Sequence, residues 1–96
     1  MLGLEDAKKV LQENKSHLFL DYPIQELAIF GSFARGEATE DSDIDILVEF
    51  SGPIGWEIVD LVEELEELLG HPVDLVSKKA IRPKLLPFIT KDLIYV

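Results

Sequence analysis

Five residues in this chain have the types and the spacing to do chemistry together. Gly31 and Ser32 follow an apolar run, Leu27-Ala28-Ile29-Phe30; ten residues after Ser32, Asp43 and Asp45 open a second apolar run; Asp74 sits inside a third, Val73-Asp74-Leu75-Val76. Two carboxylates one residue apart on a strand point the same way, with Cβ atoms roughly 6–7 Å apart, and repel each other unless a cation lies between them. Mg²⁺ fits such a pair, because it takes hard oxygen ligands and uses only one or two protein carboxylates beside water and substrate phosphates. If the strand of Asp74 pairs with that of Asp45, three carboxylates converge. Three acids and a triphosphate can hold two ions about 3.5–4 Å apart, the arrangement for in-line displacement at phosphorus.

Gly31 and Ser32 supply the complementary half, a place for the phosphates. Glycine lets backbone N–H groups approach a phosphate closely. Ser32 opens a helical turn whose outward N–H groups carry partial positive charge, and its hydroxyl adds a donor. The Gly-Lys-Ser/Thr of a Walker loop is absent. Each feature alone has an ordinary explanation: a plain turn, a loop-flanking Asp-x-Asp, an edge-strand acid facing solvent. The fixed combination carries the reading.

The elements that must position these residues follow from periodicity. Leu4, Ala7, Val10 and Leu11 predict an amphipathic helix over residues 4–15, fraying within Lys15–Leu20, with a turn at Asp21-Tyr22-Pro23 because Pro23 bars Tyr22 from helical geometry. Ile24 to Phe30 is expected as the first strand, Ser32 to Arg35 as one helical turn stopped by Gly36, and Ile44 to Phe50 as the second strand. Its alternation puts Asp43 and Asp45 on one face, with Leu47 and Glu49, and Ile44, Ile46, Val48 and Phe50 on the other. Residues 54–69 predict the strongest helix, with Ile58, Leu61, Val62, Leu65, Leu68 and Leu69 as its stripe, six acids as a solvated face, and Gly70 just past its end. Val73 to Ser77 is the third strand. Lys78 to Thr90 is expected to be helical but disturbed at Pro83 and Pro87, and Leu93–Val96 a short terminal strand. The expected fold is α/β: a single compact domain over residues 1–96, a small sheet packed against helices, with the first two strands free to be antiparallel because only a short helix joins them.

Composition removes several classes. Ninety-six residues, 47% apolar, suit one domain. No run of 18 apolar residues suggests a membrane span, and Met1-Leu2-Gly3-Leu4-Glu5-Asp6 lacks a signal-peptide pattern, so a cytoplasmic location is expected. Without cysteine, any metal must be held by oxygen or by His17 and His71, which have no metal-ligand spacing. Nineteen acids against nine bases give a net charge of −10, which argues against direct nucleic-acid binding. The bases are uneven: Lys78, Lys79, Arg82, Lys84 and Lys91 share residues 78–96 with one acid, Asp92. That tail either balances the acidic middle of the domain or faces an anionic ligand or acidic partner. Trp56 is expected to pack on the core or on a partner. Tyr22 and Tyr95 have hydroxyls that could accept a transferred group, but nothing singles them out.

Gly31-Ser32 followed by Asp43-Ile44-Asp45, within Gly-Ser-Phe-Ala-Arg-Gly and Ser-Asp-Ile-Asp-Ile-Leu-Val, resembles the DNA polymerase β-type nucleotidyltransferase superfamily. Within it the chain is similar to the minimal nucleotidyltransferases, the antitoxin halves of two-gene modules whose toxin is a helical HEPN ribonuclease. The resemblance implies that Asp43 and Asp45 bind catalytic Mg²⁺, that Asp74 is a third metal ligand that helps to activate the attacking hydroxyl, and that Gly31 and Ser32 hold the nucleoside triphosphate. It implies AMP transfer from ATP to a tyrosine of the HEPN-type toxin. Arg35 matches the motif too, and either touches phosphate or pairs with Glu37 or Asp41. Two other functions stand beside this one: a non-catalytic module that masks a toxin surface, and nucleotidyl transfer to a small molecule or RNA, whose enzymes generally carry an extra domain.

Overall fold

A computed structural model describes residues 2–96. Its elements run α1 (Leu4–Asp21), β1 (Ile24–Phe30), α2 (Gly31–Arg35), β2 (Ile44–Phe50), α3 (Glu57–Leu69), β3 (Val73–Ser77), a 3-10 turn (Lys78–Ala80), α4 (Leu86–Thr90) and β4 (Ile94–Tyr95). The four strands form one mixed sheet in the order β3-β2-β1-β4. β1 runs antiparallel to both β2 and β4, and β2 runs parallel to β3. The β1–β2 link carries only the short α2, which suits an antiparallel pair, whereas the link holding α3 between β2 and β3 provides a full helix for a parallel return. The α/β expectation is met.

The core lies between one sheet face and the helices α1 and α3. Ile44, Ile46, Val48 and Phe50 from β2 and Leu27 and Ile29 from β1 pack there with Ala7, Leu11 and Leu18 of α1 and Leu61, Leu65 and Leu69 of α3. Alternation then turns Asp45, Leu47 and Glu49 to the opposite, outer face. Among the described residues no helix is long and apolar enough to cross a membrane.

Four expectations are corrected. α1 does not fray after Lys15 but continues to Asp21, because Leu18 extends the apolar stripe one heptad beyond Leu11 and is fully buried. Helix α3 starts at Glu57, not at residue 54, because the Glu57 carboxylate folds back to accept the Gly55 N–H at 2.7 Å and fixes a non-helical lead-in. Trp56, in that lead-in, does not pack on the core: it is 88% exposed. The stretch from Lys78 to Thr90 is not one helix but a 3-10 turn, an irregular passage through Pro83, and the five residues of α4, with Pro87 in the first turn where its missing N–H is harmless.

The acidic face of α3 is also less idle than its pattern suggests. Glu64 accepts from the Tyr22 hydroxyl at 3.0 Å and pairs with His17 Nε2 at 2.6 Å, joining the C-terminal end of α1 to the middle of α3, and Glu66 accepts the Val73 N–H at 3.0 Å. Burial and the Glu64 contact push the Tyr22 phenol up to about 12.

Candidate active site

The open end of the outer face is built around Asp45. The parallel register sets Asp74 directly opposite Asp45, so both side chains project from the same face. Asp43 lies one residue ahead of β2, close enough for its charge to act on Asp45. Partial burial, then the charges of Asp74 and Asp43, hold the Asp45 carboxyl above the usual carboxylate range, and the Arg35 guanidinium pulls it part of the way back. Asp43 and Asp74 are exposed and Asp45 half-buried. The charges of Asp43 and Asp74 both act on Asp45, so the three aspartates form one electrostatic cluster.

On its other side, Asp45 opposes Phe30, the last residue of β1. The next residue, Gly31, has φ +72°, and an ideal Cβ there would lie 2.1 Å from Asp45 Oδ2. Only glycine can place this turn against the carboxylate. Ser32 follows in α2, one residue past the glycine at which the helix starts, half-buried beside it. Gly36, at φ 72°, ends α2 in left-handed geometry, as expected. Phe33 anchors α2, 1% exposed, with the His71 ring edge-on to it at 5.5 Å.

The loop that delivers Asp43 is held internally and from the side. Thr39 N–H donates to Ser42 Oγ at 2.9 Å, Ser42 N–H donates to the Thr39 carbonyl at 3.1 Å, and the His71 imidazole Nε2 contacts the Ser42 carbonyl. Local sequence assigns no role to Thr39, Ser42 or Phe33, and His71 stands out there only as lacking metal-ligand spacing. The Thr-x-x-Ser spacing was a visible signal; the role of His71 was not, because Ser42 lies 29 residues away.

Arg35 pairs with Glu37 at 3.2 Å and with Asp92 Oδ2 at 3.2 Å, a tie to the C-terminal segment that local reading could not anticipate. Among the described residues, His17, Asp21 and Glu64 form a set whose potential ligand atoms all lie within 4.8 Å of one another; Glu64 is already engaged by His17 and Tyr22, well away from the aspartates in sequence and fold. An open hollow of about 710 Å³ lined by Tyr22, Asp60, Glu63, Glu64, Glu67 and Leu68 lies on that same α1–α3 side. Size alone would favour it as the site, but its acids have no phosphate-binding turn beside them, and the chemistry points to Asp45.

Comparison with known proteins agrees with this geometry. The profile of the nucleotidyltransferase domain family matches residues 5–96, and the chain belongs to that family. It is similar to the protein adenylyltransferase MntA of Thermococcus cleftensis, 40% identical over 97 residues that span 100% of this chain and 98% of that protein. The solved structure described as a minimal nucleotidyltransferase superposes with a TM-score of 0.77 at 35% identity, over 99% of this chain and 97% of the other. A toxin–antitoxin crystal structure with AMP-PNP contains a chain that matches with a TM-score of 0.68 at 25% identity, over 98% of this chain and 72% of that one. The protein is thus an enzyme of the nucleotidyltransferase class with a minimal, single-sheet fold.

Proposed function

We propose that this chain is a protein adenylyltransferase that moves AMP from ATP, with Mg²⁺, onto a tyrosine hydroxyl of a HEPN-type toxin and so acts as its antitoxin in the cytoplasm. One observation carries the reading: Asp45 and Asp74 stand opposite each other on the open face, with Asp43 beside them and the Gly31 turn pressed against Asp45. Protein adenylylation is supported by the Thermococcus relative, and nucleotide and toxin by the AMP-PNP toxin–antitoxin structure. The HEPN class and the tyrosine acceptor come from the motif resemblance.

The donor set fits Mg²⁺. Asp43, Asp45 and Asp74 offer hard carboxylate oxygens, and partial burial together with the charges of Asp74 and Asp43 raises the Asp45 carboxyl, an environment that a cation would relieve. Bound there, the metal would neutralise phosphate charge and align the triphosphate. In this reading Asp43, Asp45 and Asp74 are the ligands, and Gly31 and Ser32 hold the phosphates through N–H and hydroxyl donors. The acceptor oxygen attacks the α-phosphorus, its bond to the β-phosphate oxygen breaks, and pyrophosphate leaves. Asp74 takes up the hydroxyl proton. A masking module would need no such convergence of like charges, which costs stability unless a cation is bound.

The test is incubation with α-labelled ATP, Mg²⁺ and the toxin encoded beside the gene. Label should pass to the toxin and be removed by a Tyr→Phe change in the acceptor. Equal labelling by the Asp43→Ala/Asp45→Ala protein would defeat the reading.

A further inference from the structure

The C-terminal segment is pinned to the outer face at both ends. Lys78 Nζ reaches Glu49 Oε2 at 3.5 Å at one end of β2, and Asp92 holds Arg35 at the other, beside Asp45. Between these pins lies α4, Leu86–Thr90, whose flanking residues Leu85 and Lys91 also have right-handed helical φ and ψ. Residues three and four apart share a helix face. Leu86 and Ile89 are half-buried, while Lys84, Leu85, Phe88 and Lys91 are all exposed, Phe88 at 72% and Leu85 at 47%. The result is an apolar stripe with a lysine at each end.

Charge sets this stripe apart. The chain carries −10 overall, yet residues 79–91 contain Lys79, Arg82, Lys84 and Lys91 and no acid. All four bases are exposed, and the one acid of residues 78–96, Asp92, is paired with Arg35. A large exposed aromatic with lysines four residues before and three after it, and no acid between them, has the pattern of a binding anchor and not of a solvated helix.

We infer that Lys84, Leu85, Phe88 and Lys91 form the docking surface for the acceptor protein, taking a partner patch in which an apolar pocket is rimmed by carboxylates. This rests on the adenylyl-transfer reading and deepens it. Such a surface gives this domain a means of selecting its acceptor: the stripe is tied through Asp92 and Arg35 to the turn that packs on Asp45, so a docked partner is presented to the aspartates.

The experiment compares wild type, Phe88→Asp and Lys84→Glu/Lys91→Glu for labelling of the neighbouring toxin, for direct binding to it, and for binding of Mg²⁺–AMP-PNP. Melting temperature is recorded for each. Expected is a rise in the KM for the toxin of about tenfold or more, matching loss of binding, with AMP-PNP affinity, melting temperature and kcat at saturation kept. The KM of wild type should also rise with NaCl, and that of the double lysine variant much less. Unchanged KM and binding in both variants would overturn the inference. So would a wild-type dimer that Phe88→Asp dissolves, or a tRNA shift that the lysine variant abolishes, since each assigns the stripe to another occupant. If wild type binds the toxin through this stripe but transfers no label, the adenylyl-transfer reading falls and the docking surface stands; if it neither binds nor labels, both fall.

Discussion

The carboxylate of Asp45 occupies the space that a β-carbon on Gly31 would need, 2.1 Å from its Oδ2. The Gly31 turn and the Asp45 carboxylate are thereby one packed unit, and changing either moves the other. Gly31→Ala must rotate Asp45 away and also places alanine at φ +72°, at roughly 1–2 kcal/mol. The fold should survive. Transfer activity should fall on the order of 100-fold, the effect of a misplacement of about 1 Å at a reacting centre. Normal turnover by this variant, measured with label transfer and checked by circular dichroism, would contradict the coupling.

Asp45→Asn should separate stability from activity. Removing one of three crowded charges relieves repulsion in the metal-free protein, so its melting temperature should rise. Loss of a metal ligand forfeits several kcal/mol of charge stabilisation, or roughly 10³-fold or more in rate. A lower melting temperature for Asp45→Asn without metal would show that Asp74 and Asp43 do not burden Asp45.

Chelation should stop the reaction. With EDTA present, label transfer should drop to background, and added Mg²⁺ should restore it without refolding, because the hydrophobic core lies on the other sheet face and includes none of the three aspartates. Unabated transfer in EDTA would remove the metal from the mechanism.

Tyr22→Phe tests the clamp between α1 and α3. Losing a hydrogen bond to the Glu64 carboxylate should cost ~1.5–3 kcal/mol in urea unfolding. The pH dependence has a definite sign. The folded phenol is raised from 10 to about 12, so its contribution is fully present below pH 10 and is lost as pH rises through 12. Wild type should therefore lose stability over that window more steeply than Tyr22→Phe, and parallel curves would rule the linkage out.

Phe33→Ala removes the anchor of α2. A fully buried phenylalanine cut to alanine costs ~3–5 kcal/mol. Below its lowered melting point the variant should still be poor at transfer, because Gly31 and Ser32 ride on the turn that Phe33 holds. Full specific activity at low temperature would place the turn's stability elsewhere.

Much of the scaffold was legible in the chain. The limits of β1, β2 and β3 follow from apolar runs bounded by Pro23, Gly31, Ser51 and His71-Pro72, and they match the structure residue for residue. The stops at Gly36 and Gly70 follow from the left-handed geometry that glycine alone adopts cheaply. These are local effects, fixed by steric preference and by the period of the hydrophobic pattern.

Helix ends and the tail were less legible, because packing decides them. α1 runs on to Asp21 since Leu18 finds a place in the core, and Trp56 stays outside because Gly55 and Glu57 set the chain's direction before α3 begins. Neither outcome is written in residue propensity.

By itself the sequence determined which residues could act: the Gly31-Ser32 turn, the spacing of Asp43 and Asp45, and the side of the strand on which Asp45 must lie. Only tertiary structure decided that they lie in one place. Asp74 meets Asp45 because β3 pairs with β2 in parallel and in that register; a slip of one residue would send Asp74 to the core face. Arg35 meets Asp92 across 57 residues for the same kind of reason, since contacts between distant segments depend on how strands are ordered and not on local preference.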